Sequence, residues 1–147
     1  MADTPESKVK KAVKKDLADL KIYYQMPVTG GFGNSGDPDF SLCVAGLTVG
    51  LETKDDCLRH RRGDLYRGKR IKTGAPTDLQ KLRMAEIRDS GGITLVIDRH
   101  NVVVLRAWLE YVLQLAASDR PFRQVLLLAK TAARNNDLWY EVMPDYD

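Results

Sequence analysis

The chain has 147 residues, 44% of them hydrophobic and 29% charged. That is enough for one globular domain with a real core, short for two, and unlike the composition of a disordered or fibrous protein. The formal charge of +3 is small but uneven: six lysines stand against three acids over residues 6–21, seven Lys or Arg against three acids over 55–75, and four acids with no Lys or Arg over 135–147. Clustered positive charge is the footprint of a polyanion partner, although such runs can also simply face water.

In chain order, Thr4-Pro5-Glu6-Ser7 opens a helix, because threonine can cap and proline at the first helical position loses no needed N–H. Val9, Val13, Leu17 and Leu20 recur at helical spacing, with Lys8, Lys10, Lys11, Lys14 and Lys15 mostly off that stripe, so the helix should run to about Leu20. Residues 21–28, rich in Ile, Tyr and Val, predict a first strand that ends at a glycine cluster. Residues 39–45 and 47–54 predict two more. Only Gly46 lies between them, which points to an antiparallel hairpin with a tight or bulged turn. Residues 55–75 are basic and without period and read as a long loop, a length normally reserved for function or disorder. Thr77-Asp78-Leu79-Gln80 has the form of a capping box and starts a helix through about Arg88, closed by Ser90-Gly91-Gly92. Residues 93–98 are short and apolar, as a buried central strand would be. Residues 102–117 and 121–134 predict two further helices, although Val102, Val103 and Val104 could begin a strand. The order α-β-β-β-α-β-α-α implies an α+β fold, a mixed sheet of about four strands flanked by helices.

Several function classes drop out. The longest apolar stretch, 102–117, is broken by Arg106, Glu110 and Gln114 and falls short of the roughly 20 residues of a membrane span. The start, Met-Ala-Asp-Thr-Pro-Glu, has neither a basic leader nor an apolar core, so cytoplasm is the expected location. Cys43, Cys57, His60 and His100 have no zinc spacing, and both thiols are expected to be reduced.

The stretch Gly31-Phe-Gly-Asn-Ser-Gly36 spells the glycine pattern of a dinucleotide site, which requires the glycine turn to open a helix. Here Pro38 follows, and then Phe40-Ser-Leu-Cys-Val-Ala45 alternates at period two. The glycines are therefore expected to form a flexible turn region, and no nucleotide cofactor is expected.

Alternation makes a sharper statement. Leu47, Val49 and Leu51 share one strand face while Thr48, Gly50, Glu52 and Lys54 share the other, which sets Glu52 and Lys54 about 6–7 Å apart. Phe40, Leu42 and Val44 likewise oppose Asp39, Ser41 and Cys43. If the apolar faces match across the hairpin, Asp39, Glu52 and Lys54 converge. Two adjacent carboxylates repel unless a cation lies between them, and hard oxygen ligands suit Mg²⁺ or Mn²⁺. A lysine beside such an ion could orient a water or stabilise a transition state. Singly, each residue has a plainer reading: Glu52 and Lys54 as an exposed pair at a strand end, Asp39 as a turn residue.

Gly36-Asp-Pro-Asp39, followed at a strand's length by Glu52-Thr-Lys54 and later by Gln80 early in a helix, resembles the PD-(D/E)XK nuclease superfamily. The first helix carrying Glu6, and the Gly91-Gly92 turn before the 93–97 strand, look most like its VRR-NUC branch, related to Holliday-junction resolvases and often found in phage. The resemblance covers about residues 5–98, roughly two thirds of the chain. It implies a restriction-endonuclease-like core in a single 1–147 nuclease domain, with 99–147 as a helical extension ending in the acidic tail. It implies Asp39, Glu52 and the Thr53 carbonyl as ligands of Mg²⁺ or Mn²⁺, Glu6 as the acid completing the metal site, Lys54 as the catalytic lysine and Gln80 as a helper near the nucleophile. Glu6, spaced from Val9 and Val13, falls on the inward stripe, uncomfortable for a carboxylate without a partner. Both it and Gln80 have plainer readings, as a helix-dipole partner and as the closing residue of the capping box.

Two features depart from the compact family pattern. The 55–74 loop is longer and more basic, either an arm whose Arg59, Arg61, Arg62, Arg67, Lys69, Arg70 and Lys72 contact phosphates, joined by Lys8, Lys11 and Lys15 of the first helix, or disordered without nucleic acid. The helices beyond Val102, with Trp108 and Trp139, exceed the minimal nuclease, and Leu126, Leu127 and Leu128 are expected in the core rather than on a dimer face. The expected function is a metal-dependent, structure-selective DNA endonuclease working as a homodimer, since cutting two strands of a junction calls for two sites. The rival is a non-catalytic DNA-binding or packaging accessory. No helix-turn-helix or finger motif suggests base readout.

Overall fold

The computed structural model describes residues 4–27, 36–56 and 76–138, with the backbone alone of 65–66 and 69–70. Most of the glycine cluster, the side chains of the basic 57–75 stretch with its seven expected DNA contacts, Cys57, His60, Trp139 and the tail acids beyond Asp137 lie outside the described residues.

Helix α1 (Pro5–Asp19) starts as its sequence dictates: Thr4 Oγ1 accepts from the Ser7 N–H at 3.1 Å, and Pro5 stands in the first turn. Val9, Val13 and Leu17 are its buried stripe, and Leu20 is only half-buried. The helix ends with Lys21 left-handed at φ 57°, the Ile22 N–H reaching back to the Leu17 carbonyl. That closure takes Lys21 and Ile22 out of the expected first strand, and Pro27 lacks the N–H a ladder needs. Strand β1 is accordingly only Tyr23–Gln25.

Strands β2 (Phe40–Val44) and β3 (Leu47–Thr53) form the expected hairpin, pairing Phe40 with Leu51, Leu42 with Val49 and Val44 with Leu47. All six are buried. Burying the Phe40 ring alone contributes roughly 2–3 kcal/mol. The two-residue turn has Ala45 at φ 50° and Gly46 at φ 87°, the positive-φ pair whose twist suits a two-residue hairpin. Alanine is strained there and asparagine is not. The exposed Ala45 changed to Asn is expected to raise the unfolding free energy by about 0.5–1 kcal/mol, read from urea denaturation.

After β3, a two-residue antiparallel ladder, β4 (Leu65–Tyr66) with β5 (Lys69–Arg70), interrupts the stretch expected to be loop. Helix α2 (Asp78–Asp89) then leads to β6 (Ile93–Ile97), which lies parallel to β3. Gly91 at φ 95° lets the Gly92 N–H return to the Ile87 carbonyl and stop α2. The main sheet has the order β1-β2-β3-β6, so β6 is buried as expected but stands at an edge rather than in the centre. Its outer side is met by buried Leu138, whose carbonyl accepts from the Val96 N–H at 3.1 Å. This is how an edge strand can be wholly buried.

Helices α3 (Val102–Ala117) and α4 (Phe122–Asn135) complete the order α-β-β-β-α-β-α-α of an α+β fold with a mixed four-stranded sheet. Val102–Val104 are helical, not extended. Helices α1 and α3 cover one face of the sheet and α2 the other, where Pro38 and Ile87 press so closely on Gly50 that a Cβ would sit 3.0–3.1 Å from each. The α4 core face is Val125, Ala129 and Ala133, and Trp108 Nε1 donates to the Ala129 carbonyl at 2.9 Å. The expectation for Leu126–Leu128 holds in part: Leu126 and Leu128 are half-buried and pack against the core, while Leu127 is 63% exposed, because the fully buried positions of α4 recur every fourth residue and these fall between. Among the described residues no helix is long and apolar enough to cross a membrane.

Candidate active site

Gly36 takes φ 81°, and a Cβ there would come within 2.7 Å of Leu79 Cγ in the first turn of α2. A glycine is required both by the left-handed backbone and by the helix pressed against it. The turn through Asp37 and Pro38 then sets Asp39 one residue before β2. The Phe40–Leu51 pairing continues to place Asp39 across from Glu52.

Asp39 is fixed at one oxygen. Its Oδ2 accepts from the Thr53 N–H at 2.9 Å and from Thr53 Oγ1 at 2.6 Å. Its Oδ1 stands 3.7 Å from Lys10 Nζ, and Lys10 is also 3.6 Å from Glu6 Oε1. Glu52 is 1% exposed. Its Oε1 accepts from Gln80 Nε2 at 2.8 Å and lies 3.8 Å from Lys54 Nζ, while its Oε2 is buried with no hydrogen-bond partner. Burial first, then the Asp39 charge, push the Glu52 carboxyl up to about 8, with Lys54 opposing and Glu6 adding to the rise.

Gln80 combines its two readings. Its Oε1 accepts from the Thr77 N–H at 2.8 Å, completing the capping box, while its amide nitrogen holds Glu52. Lys54 stands on a braced strand end: its N–H donates to Ile97 O at 2.9 Å, Arg99 N–H donates to Asp55 O at 3.1 Å, and His100 Nε2 lies 2.9 Å from Asp56 Oδ1.

The end of β3 thus gathers Glu6, Asp39, Glu52, Thr53, Lys54 and Gln80 from four separate stretches of chain. No family model matches this chain, and neither the curated proteins nor the solved structures yield a match.

The expected pairing of Glu52 with Lys54 holds, but as a buried pair rather than an exposed one. Glu6 is corrected in place: it sits at the rim with 42% of its side chain exposed, and it does have a partner, Lys10. Lys10 is the residue that sequence reasoning missed. The signal was present, since Glu6 and Lys10 are four apart on a helix, the spacing at which opposite charges meet. Lys8, Lys11 and Lys15 are exposed on α1, Lys15 paired with Asp19 at 3.3 Å.

Whether these residues suit a divalent ion can be judged on their own chemistry. Among the described residues no group of three His, Cys, Asp or Glu side chains stands together as a ready cage, because Lys10 and Lys54 are interleaved with the carboxylates. Yet an unpartnered carboxylate oxygen in the interior costs several kcal/mol unless a cation or donor meets it. Glu52 Oε2 is such an atom, Asp39 is its neighbour, and both are hard oxygen donors. The donor set fits Mg²⁺ or Mn²⁺. A cleft of about 650 Å³ between the β2–β3 turn, the end of α2 and the start of α4 contains none of these residues.

Proposed function

We propose that this chain is a Mg²⁺- or Mn²⁺-dependent DNA endonuclease selective for branched or duplex structure, acting in the cytoplasm as a homodimer so that two sites serve two strands. The observation that carries this reading is the buried Glu52 carboxyl with its unpartnered Oε2, set against Asp39 and Lys54 at the end of β3. Asp39 and Glu52, with the Thr53 carbonyl and Glu6, are the residues that would hold the ion. The ion would supply charge neutralisation at the scissile phosphate and acidify an attacking water. Thr53 locks Asp39 through two hydrogen bonds, Gln80 locks Glu52 through one, and Lys54 presents a cation whose reach is fixed by the strand beneath it. Such pre-set geometry is what a phosphoryl-transfer site needs, since its catalysis is mostly positioning and electrostatics. Lys8, Lys11 and Lys15, exposed on α1, supply phosphate contacts along that helix. The basic residues of 57–75 would add to them.

The test is a panel of labelled branched and linear DNAs incubated with Mg²⁺, Mn²⁺ or EDTA. Wild-type protein is expected to cut in either metal and not in EDTA. Lys54→Met is expected to bind the same DNA and cut on the order of 10²–10³-fold more slowly. Equal cutting by the variant would mean that the activity is a contaminant's and that the chain is a non-catalytic DNA-binding accessory.

A further inference from the structure

We propose that Lys10 supplies the second positive charge of this site, so that the chain holds one divalent ion rather than two; the inference rests on the metal-dependent nuclease reading above. Lys10 is not an ordinary helix-surface pair. Glu6 and Lys10 alone would be one, but the same ammonium also meets Asp39, which comes from the other side of the hairpin and is already anchored by Thr53. The neighbouring α1 lysines, Lys11, Lys14 and Lys15, are exposed, while Lys10 is turned inward and only 33% of its side chain is accessible.

Its position decides what the site can hold. A second divalent ion needs carboxylate oxygens of its own. Asp39, Glu52 and Glu6 are the carboxylates given above to the first ion, and Lys10 Nζ already stands 3.6 Å from Glu6 Oε1 and 3.7 Å from Asp39 Oδ1, so a second ion would meet the ammonium where it needs a carboxylate of its own. Charge counting points the same way. Once an ion has displaced the Glu52 proton, three ionised carboxylates stand against Lys10 and Lys54, one net negative charge that a single divalent ion turns to one positive. Two ions would leave three positive charges packed within a few ångströms, several kcal/mol of repulsion at protein-like dielectric. The ammonium also arrives with the fold, so half of the charge that a second divalent ion would bring is here covalently attached.

The experiment counts Mn²⁺ bound to the full chain by electron paramagnetic resonance and calorimetry, using Mn²⁺ alone. Wild type is expected to bind one ion. Lys10→Met, neutral and of similar length, is expected to gain a second site and to bind the first ion about tenfold more tightly. Lys10→Arg and the exposed-site control Lys14→Met are expected to stay at one. Two ions on the wild type would overturn the inference while leaving the nuclease reading intact, as would Lys10→Met that keeps one ion at unchanged affinity. No Mn²⁺ bound by the wild type would overturn both. The wild-type count decides even if a variant does not fold.

Discussion

Glu52→Gln is expected to abolish cleavage and, at pH 8, to make the protein more stable than the wild type. The loss of activity follows from replacing a carboxylate oxygen by an amide that cannot ligate a hard cation, on the order of 10³-fold or more. The gain in stability follows from where the carboxyl sits. Unfolded, it titrates near its ordinary 4.5, and folded near 8, so between those values the folded chain holds a proton that the unfolded chain has given up. The favourable contribution of the protonated side chain is complete below pH 4.5 and is lost as pH rises through 8. Glutamine imitates the protonated acid at every pH. Its advantage should be close to nothing at pH 4.5 and on the order of 4 kcal/mol at pH 8, about 10 °C in Tm for a chain of this size. Calorimetry at the two pH values checks it. A variant that melts lower than wild type at pH 8, or that still cuts, would show that Glu52 is a structural acid.

Divalent binding by the wild type should be steeply pH-dependent for the same reason. A cation can use Glu52 only after the proton leaves, so apparent Mg²⁺ affinity is expected to rise about tenfold per pH unit from pH 6 to 8 and to level off above. With ion at a hundred times its dissociation constant, the added stability would be about 2.7 kcal/mol. At pH 6 the same ion concentration should hardly move Tm. Calorimetric titration in two buffers of different ionisation enthalpy should report close to one proton released per ion bound at pH 7, and none in Glu52→Gln. A pH-independent affinity would separate Glu52 from metal binding.

Much of this arrangement was legible before any coordinates. The alternation of Phe40, Leu42 and Val44 against Leu47, Val49 and Leu51 leaves one sensible register, and that register alone sets Asp39 opposite Glu52. Thr77 and Gln80 announce the start of α2 because capping is local chemistry. What stayed hidden depends on contacts distant in sequence. Lys10 reads as one solvated lysine among several until the hairpin brings Asp39 to it. The covering of the β6 edge depends on Leu138, some forty residues away, meeting Val96. Leu126–Leu128 illustrate a limit of composition: three adjacent leucines cannot share one helix face, and the residues of α4 that are fully buried are a valine and two alanines.

One amide ties the chemistry to the backbone. Because the two ends of the Gln80 side chain are divided between the Thr77 N–H and Glu52, unwinding the first turn of α2 and releasing the buried acid are a single event. The exchange rates of the Thr77 and Gln80 amide hydrogens would therefore track how often the centre comes apart.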